Sequence, residues 1–274
     1  MVATEESARL LRDYISTNIT RLAVGANKAA SVPATSDTSL DYEVTRLTVS
    51  STDTSTDREV TFQHVVDVDS ANGFALKEVG LGAAAVTTLE DGEDVSDWTA
   101  GGDAAVTADA TIFQIGTKSM KIALTFSTGT GTVTKTTSIG DVSAITGVSS
   151  GTPVRGAFSS KIYVNSLANV TSITYRIGSD SSNYASKAVT LGSLTEDTWA
   201  GFNFSLSGAT ITGTPVWTAV DYQHIIVVCT ADCDVYFDDM FLTQSIATRN
   251  SVPTINKTSL LEVIYETTVT VTPQ

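Results

Sequence analysis

Apolar residues recur along this chain with two different periods. In TEESARLLRDYIST (4–17), Ala8, Leu11 and Ile15, with Leu10 and Tyr14, repeat at helical spacing. Thr4 is placed to cap the first turn, and Glu5 and Glu6 suit the positive end of the helix dipole. After residue 18 the period becomes two. ITRLAV (19–24), YEVTRLTVSS (42–51), REVTFQHVVDV (58–68) and GFALKEVGL (73–81) read as strands, separated by turn-rich segments such as NKAASVPATSDTS and TDTSTD. At the far end SLLEVIYETTVTVT (259–272) alternates in the same way. A lone strand has nothing to cover its face, so this run is expected to complete the sheet begun by residues 19–81. Between lies a procession of short strand patterns, among them SMKIALTFS, GAFSSKIYVN, SITYRIGS, KAVTLG, WAGFNFSL, QHIIVVCT and CDVYFDDMFLT, with turn signals at the spacing of an all-β sandwich. The pattern predicts a mostly β chain. A small β-sheet base domain with one N-terminal helix, residues 1–85 and 244–274, is interrupted by an inserted β-sandwich, residues 86–243, whose two ends lie close together as an insertion requires.

Composition narrows the function classes. Hydrophobic content of 42% with 17% charged residues belongs to a folded chain. Thirty acidic residues against sixteen basic ones give a net charge of −14 and no Lys/Arg cluster, which excludes a nucleic-acid partner and reads as a well-solvated surface. No stretch is long or apolar enough for membrane insertion, and MVATEESARLLRDYI lacks the basic start and apolar run of a secretory signal, implying synthesis in a cytosol. Cys229 and Cys233, in VVCTADCDV, could face each other across a hairpin, either as a disulfide in an oxidising setting or as two half-buried thiols. His64 and His224 are the only histidines, both in strand-like runs, and no catalytic motif accompanies them. Asp67 and Asp69 read as a turn at a strand end. No enzymatic activity is expected.

Two resemblances cover most of the chain. ITRLAVGANKAASVPATSDTSLDYEVTR and VTFQHVVDVDSANGFALKEVGLG, closed by INKTSLLEVIYETTVTV, resemble a small module of tailed-virus structural proteins, with Gly82 where that pattern commonly has an aromatic. The inserted stretch is similar to carbohydrate-binding-module-like jelly rolls in LEDGEDVSDWTAGGDAAVTADATIFQIGTKSMKIALT, YRIGSDSSNYASKAVTL, TPVWTAVDYQHIIV and DVYFDDMFL. The insertion would then be a jelly-roll β-sandwich.

The jelly-roll resemblance implies a candidate structural Ca²⁺, held by Glu90 or Asp91 from the first strand and Asp238 or Asp239 from the last; an exposed acidic edge is the other reading of these residues. Trp199 and Tyr184 are the candidate glycan contacts, with core or rim packing the favoured reading of the same aromatics, while Trp98 and Trp217 stand at packing positions. The viral resemblance implies a non-enzymatic virion structural protein, made in the host cytoplasm and displayed on the particle surface as a decoration, turret or tail component. The base would attach and the jelly roll would project. No cofactor is required. The expected partners are further copies in a symmetric homo-oligomer and other virion proteins of the capsid, portal vertex or tail. Leu10, Leu11, Tyr14 and Ile15 are the expected oligomer or virion contact; closing one face of the small base sheet is the equal alternative for the same four residues. The alternative is a tail adhesin that recognises a host surface glycan, which fold alone does not decide.

Overall fold

A computed structural model describes residues 5–25, 43–68, 75–82, 86–244, 246–256 and 262–271. Its contacts define two units, residues 1–84 with 245–274, and residues 85–244. Thr4 and Asp69 lie outside the described residues.

The first unit opens with helix α1 (Glu5–Asn18) and strands β1 (Arg21–Gly25), β2 (Glu43–Thr48), β3 (Ser51–Asp53), β4 (Glu59–Val66) and β5 (Ala75–Gly82). The second begins with β6 (Val86–Glu90), β7 (Trp98–Gly102), β8 (Ala104–Asp109), β9 (Ser119–Leu124), β10 (Thr130–Lys135) and β11 (Ala157–Val164). It continues through β12 (Val170–Asp180), β13 (Asn183–Ala188), β14 (Ala200–Ser205), β15 (Thr210–Thr212), β16 (Tyr222–Cys229) and β17 (Cys233–Thr243). The chain then returns to the first unit as β18 (Ile246–Asn256) and β19 (Val263–Thr270). The protein is therefore mostly β, with one N-terminal helix and sheets of sandwich type, and no helix among the described residues is long and apolar enough to cross a membrane.

In the first unit a sheet β18-β5-β1-β2 and a sheet β19-β4-β3 share one core. Alternation along β4 explains the second sheet: Val60, Phe62, His64 and Val66 are buried while Glu59, Thr61, Gln63 and Val65 stay half-exposed. Leu22, Leu76 and Leu81 meet Phe62, Val66 and Val263 between the sheets. The closing strands pair with the opening ones, β18 on β5 with Ile246 opposite Gly82, and β19 on β4 from Val263↔Val66 to Thr270↔Glu59. Helix α1 buries Ala8 and packs Ile15 on this core, leaving Leu10, Leu11 and Tyr14 at 62%, 49% and 64% exposure. Ile15 therefore lies on the side that closes the small sheet, the second reading given for these residues. It follows Ala8 by two turns and shares its inward side, whereas the other three face solvent.

The second unit is a β-sandwich. One sheet has the order β15-β13-β12-β16-β10-β7; the other runs β14-β11-β17-β9-β8, with β6 also paired to β17. Its first and last strands are neighbours, Val86 lying opposite Thr243. Between the sheets Phe158 stacks at 4.2 Å on Tyr175 and contacts Phe202 and Phe204. Tyr175 donates from its hydroxyl to Gln223 Oε1 at 2.7 Å, which satisfies a phenol that is otherwise sealed from water. Trp98 and Trp217 are both buried, and the Trp217 indole N–H donates to the Gly151 carbonyl at 2.7 Å. β16 and β17 belong to different sheets, so the three residues between them carry the chain across the sandwich.

Candidate ligand-binding face

Strand parity fixes which side chains of the six-stranded sheet look outward. On β12, Ile173, Tyr175 and Ile177 point into the core, so Thr174, Arg176 and Gly178 face away from it. On β16, Ile225 and Val227 point in, and Tyr222, His224 and Ile226 point out. On β13, Ala185 is in, and Tyr184 and Ser186 are out. Register then brings these positions together. Arg176 lies opposite His224 on one side and Ser186 on the other, and Gly178 lies between Tyr222 and Tyr184.

The result is a joined aromatic and cationic cluster. The Arg176 guanidinium sits 4.7 Å from the Tyr184 ring centroid, a cation–π contact worth about 0.5–2 kcal/mol. The Tyr184 and Tyr222 rings are 6.2 Å apart, and Tyr222 meets the His224 ring edge-to-face at 5.7 Å. The Tyr222 hydroxyl is hydrogen-bonded to His224 Nδ1 and is also reached by Arg176. Gly178 is required here. A Cβ would fall 2.1 Å from the Asn183 carbonyl oxygen and 2.5 Å from Tyr184 Cα, and its absence leaves bare backbone beneath the two tyrosines. Burial, and after it the neighbouring Arg176 charge, lowers the His224 pKa, so the imidazole is neutral at pH 7. Two nitrogens of the cluster, Arg176 Nε and His224 Nε2, are covered yet have no hydrogen-bond partner.

The two residues singled out from sequence as glycan contacts are placed on different sheets. Tyr184 belongs to the cluster above. Trp199 precedes β14 on the opposite sheet, where its ring packs 5.5 Å from Tyr163, which itself meets Tyr236 edge-to-face and donates its hydroxyl to Asp197 at 2.9 Å. They do not form one platform. Arg176, Tyr222 and His224 were missed because His224 reads as an ordinary strand residue, and its register with Arg176 is not visible in either strand alone.

Glu90, Asp91 and Asp238 each have partners of their own. Glu90 is buried; its carboxylate accepts from the Gly92 N–H (2.9 Å), the Trp98 indole N–H (2.6 Å) and Lys135 Nζ (3.1 Å). Asp91 is exposed and accepts the Glu93 N–H. Asp238 is fully buried, and its Oδ2 accepts the Gln114 and Ile115 backbone N–H groups at 2.8 and 2.9 Å, while Oδ1 has no partner. Desolvation raises its pKa to about 6, against the lowering effect of those two amides. Asp239 lies at a left-handed φ of 49°, where the pairing of β17 with β11 slips by a residue. Calcium needs six to eight oxygens, whereas Asp238 is cradled by N–H donors and Glu90 is neutralised by a lysine. Among the described residues no three His, Cys, Asp or Glu side chains are grouped to hold a metal ion. The donor set as placed does not fit the ion that the jelly-roll resemblance implies.

Neighbouring carboxylates instead organise the segment over Asp238. Asp109 accepts the Thr111 and Ile112 N–H groups, and Glu93 accepts those of Thr117 and Lys118. Gly116, at φ 70°, leaves the room that Glu93 fills. Cys229 and Cys233 are free, buried thiols within hydrogen-bonding reach of each other; desolvation raises both pKa values, that of Cys233 to about 12, so they stay protonated.

No protein-family model matches the chain. No curated protein matches it. Among solved structures, it is similar to a family 11 carbohydrate-binding module from Clostridium thermocellum, in complex with a beta-1,3-1,4-mixed-linked tetrasaccharide. That pair shares 15% identity, covering 59% of this chain and 97% of the other, at a TM-score of 0.42. A family 30 carbohydrate-binding module of a Clostridium thermocellum cellulosomal cellulase gives 10% identity over 58% and 98%, at 0.46. An agarase gives 10% over 58% of this chain and 24% of its own, at 0.42.

Proposed function

We propose that the protein is a non-enzymatic, surface-displayed binding protein whose 85–244 unit takes a glycan on the outer face of its six-stranded sheet. The observation that carries this reading is the Tyr184–Arg176–Tyr222–His224 cluster. Buried polar groups in folded proteins nearly always have partners. Here two nitrogens lack one on a face that also offers aromatic rings for stacking on a pyranose and, in Thr134, Thr174 and Ser186, a set of hydroxyls to exchange hydrogen bonds with sugar hydroxyls. His224 is bonded to a tyrosine rather than to an acid and a nucleophile, which supports binding over catalysis.

The base would serve attachment. Leu10, Leu11 and Tyr14 offer an exposed apolar face on α1 for other copies or for a larger particle. That the particle is a tailed virion, with the protein on its surface, rests on the sequence resemblance of the base.

The test is a glycan array probed with the whole chain, followed by titration of the best ligand. Tyr184→Ala is expected to weaken binding at least about tenfold, equal to roughly 1.4 kcal/mol, while the sandwich still melts cooperatively with a midpoint lowered by no more than about 2–8 °C, the scale of the lost cation–π contact. Loss on Trp199→Ala with full binding by Tyr184→Ala would move the site to the other sheet. Binding to no glycan at all would defeat the proposal.

A further inference from the structure

Residues 85–244 hold sixteen Asp and Glu against seven Lys and Arg. An even spread would place several carboxylates on each face of the sandwich. On the outer face of the five-strand path it does: Asp109, Asp234 and Asp238 share the parity of Lys121 and Tyr236, opposite that of core residues Val106, Val235 and Phe237. The outer face of the six-stranded sheet differs. Its central cross-strand row reads Thr99, Thr134, His224, Arg176, Ser186 and Thr210. The rows on either side are headed by Thr132, Ile226 and Thr174, and by Tyr222, Gly178 and Tyr184. None of these positions is acidic. At their middle stand one of the two arginines of residues 85–244 and their only histidine, directly opposite each other.

Arg176 has no ion pair among the described residues. Its positive charge is held against Tyr184 and Tyr222, which orient the planar fork without neutralising it. Asp180, at the turn from β12 to β13, is the acidic residue whose charge reaches Tyr222, and both of its oxygens are engaged by Asn183 Nδ2 at 3.0 Å. A neutral sugar would not require an unneutralised guanidinium or three central cross-strand rows without a carboxylate. A carboxylate would, because a guanidinium pairs with it through two parallel N–H···O bonds.

We infer that the ligand of this face is an acidic glycan, whose uronate- or sialate-type carboxylate pairs with Arg176 while an adjoining ring stacks on Tyr184. This rests on the glycan reading above and adds the ligand's charge. The net charge of −14 gives the inference a clean background, since a polyanion is repelled by the protein as a whole. Attraction must therefore come from a local site.

The experiment titrates the whole chain with polygalacturonate, alginate, hyaluronate and polysialic acid, alongside methyl-esterified pectin, neutral glucans and dextran sulfate. At least one carboxylated glycan is expected to bind, with its methyl-esterified or neutral counterpart weaker by about tenfold or more, the scale of one hydrogen-bonded charge pair. Arg176→Gln should remove that preference, and Arg176→Lys should restore only part of it, since an ammonium lacks the fork. A cooperative melt of both variants, within about 2–8 °C of the parent, shows that neither has lost its fold. Equal affinity for acid and ester, or full acidic-glycan binding by Arg176→Gln, would refute the acidic ligand yet leave glycan binding standing through Tyr184→Ala. Dextran sulfate binding as tightly as any polyuronate would replace carboxylate recognition with unspecific charge. Binding to nothing in the panel ends both readings.

Discussion

Lys135→Met is expected to destabilise the sandwich unit by about 3–5 kcal/mol, the cost of leaving one member of a buried charge pair without the other. Lys135 is 13% exposed at its side chain and Glu90 2%. The ammonium's three hydrogens have three acceptors: Asp97 Oδ2 at 2.9 Å, Glu90 Oε2 at 3.1 Å and the Leu89 carbonyl at 3.2 Å. Burial alone would depress the Lys135 pKa, but Asp97 and Glu90 carry it above its ordinary value, so the lysine is charged in the folded state at any physiological pH. The contact also ties β10, in one sheet, to β6, on the other. Removing the lysine leaves Glu90 with two neutral donors and no counter-charge. The check is urea denaturation followed by tryptophan fluorescence, which reports this unit alone because Trp98, Trp199 and Trp217 all lie within it. The double variant Glu90→Gln with Lys135→Met should recover part of the loss, since the deeply buried Glu90 charge is gone and only the third-exposed Asp97 is left without its lysine. A single-variant loss below about 1 kcal/mol would place the pair among ordinary surface bridges.

Asp238→Asn is expected to act in the opposite direction. The folded-state pKa of Asp238 is raised from 3.8 to about 6 by desolvation. The proton is therefore held more tightly in the folded chain than in the unfolded one. Above pH 6 the ionised carboxylate destabilises the fold by up to about 3 kcal/mol, at roughly 1.4 kcal/mol per pKa unit. That penalty fades as pH falls from 6 toward 3.8. Asparagine keeps an oxygen for the Gln114 and Ile115 amides without the charge. The variant should thus gain stability at pH 7–8 and match the parent near pH 4, read from urea midpoints at each pH. If the site instead closes around calcium, Asp238→Asn would lose stability in calcium buffer, and a chelator would lower the melting temperature of the parent.

The sequence shows the general architecture more clearly than it shows the site. Strands that alternate large apolar and polar residues, such as 59–66 and 222–229, announce themselves because each buries one face. β7 and β8, with WTAGG and AAVTAD, do not: small residues give little periodicity, and their pairing is set by β9 and β10. KAVTLG reads as a strand from 187, whereas β13 ends at Ala188; its register comes from the bulge after Gly178, which starts the strand at Asn183. The same limit applies to chemistry. LEDG identifies an acidic opening strand, but the partner that fixes Glu90 lies forty-five residues away at Lys135. Tyr184 is recognisable as an aromatic near a strand, while its neighbours Arg176 and His224 are joined only by cross-strand register.

The paired strands at the junction have an evolutionary consequence. Gly82 faces Ile246 within one unit and Val86 faces Thr243 within the other, so each half reaches the crossover as two adjacent antiparallel strands. Excising the intervening stretch would ask the smaller half for no more than a tight hairpin turn in its place. The inserted unit could therefore be exchanged for an unrelated one while the smaller half is inherited intact.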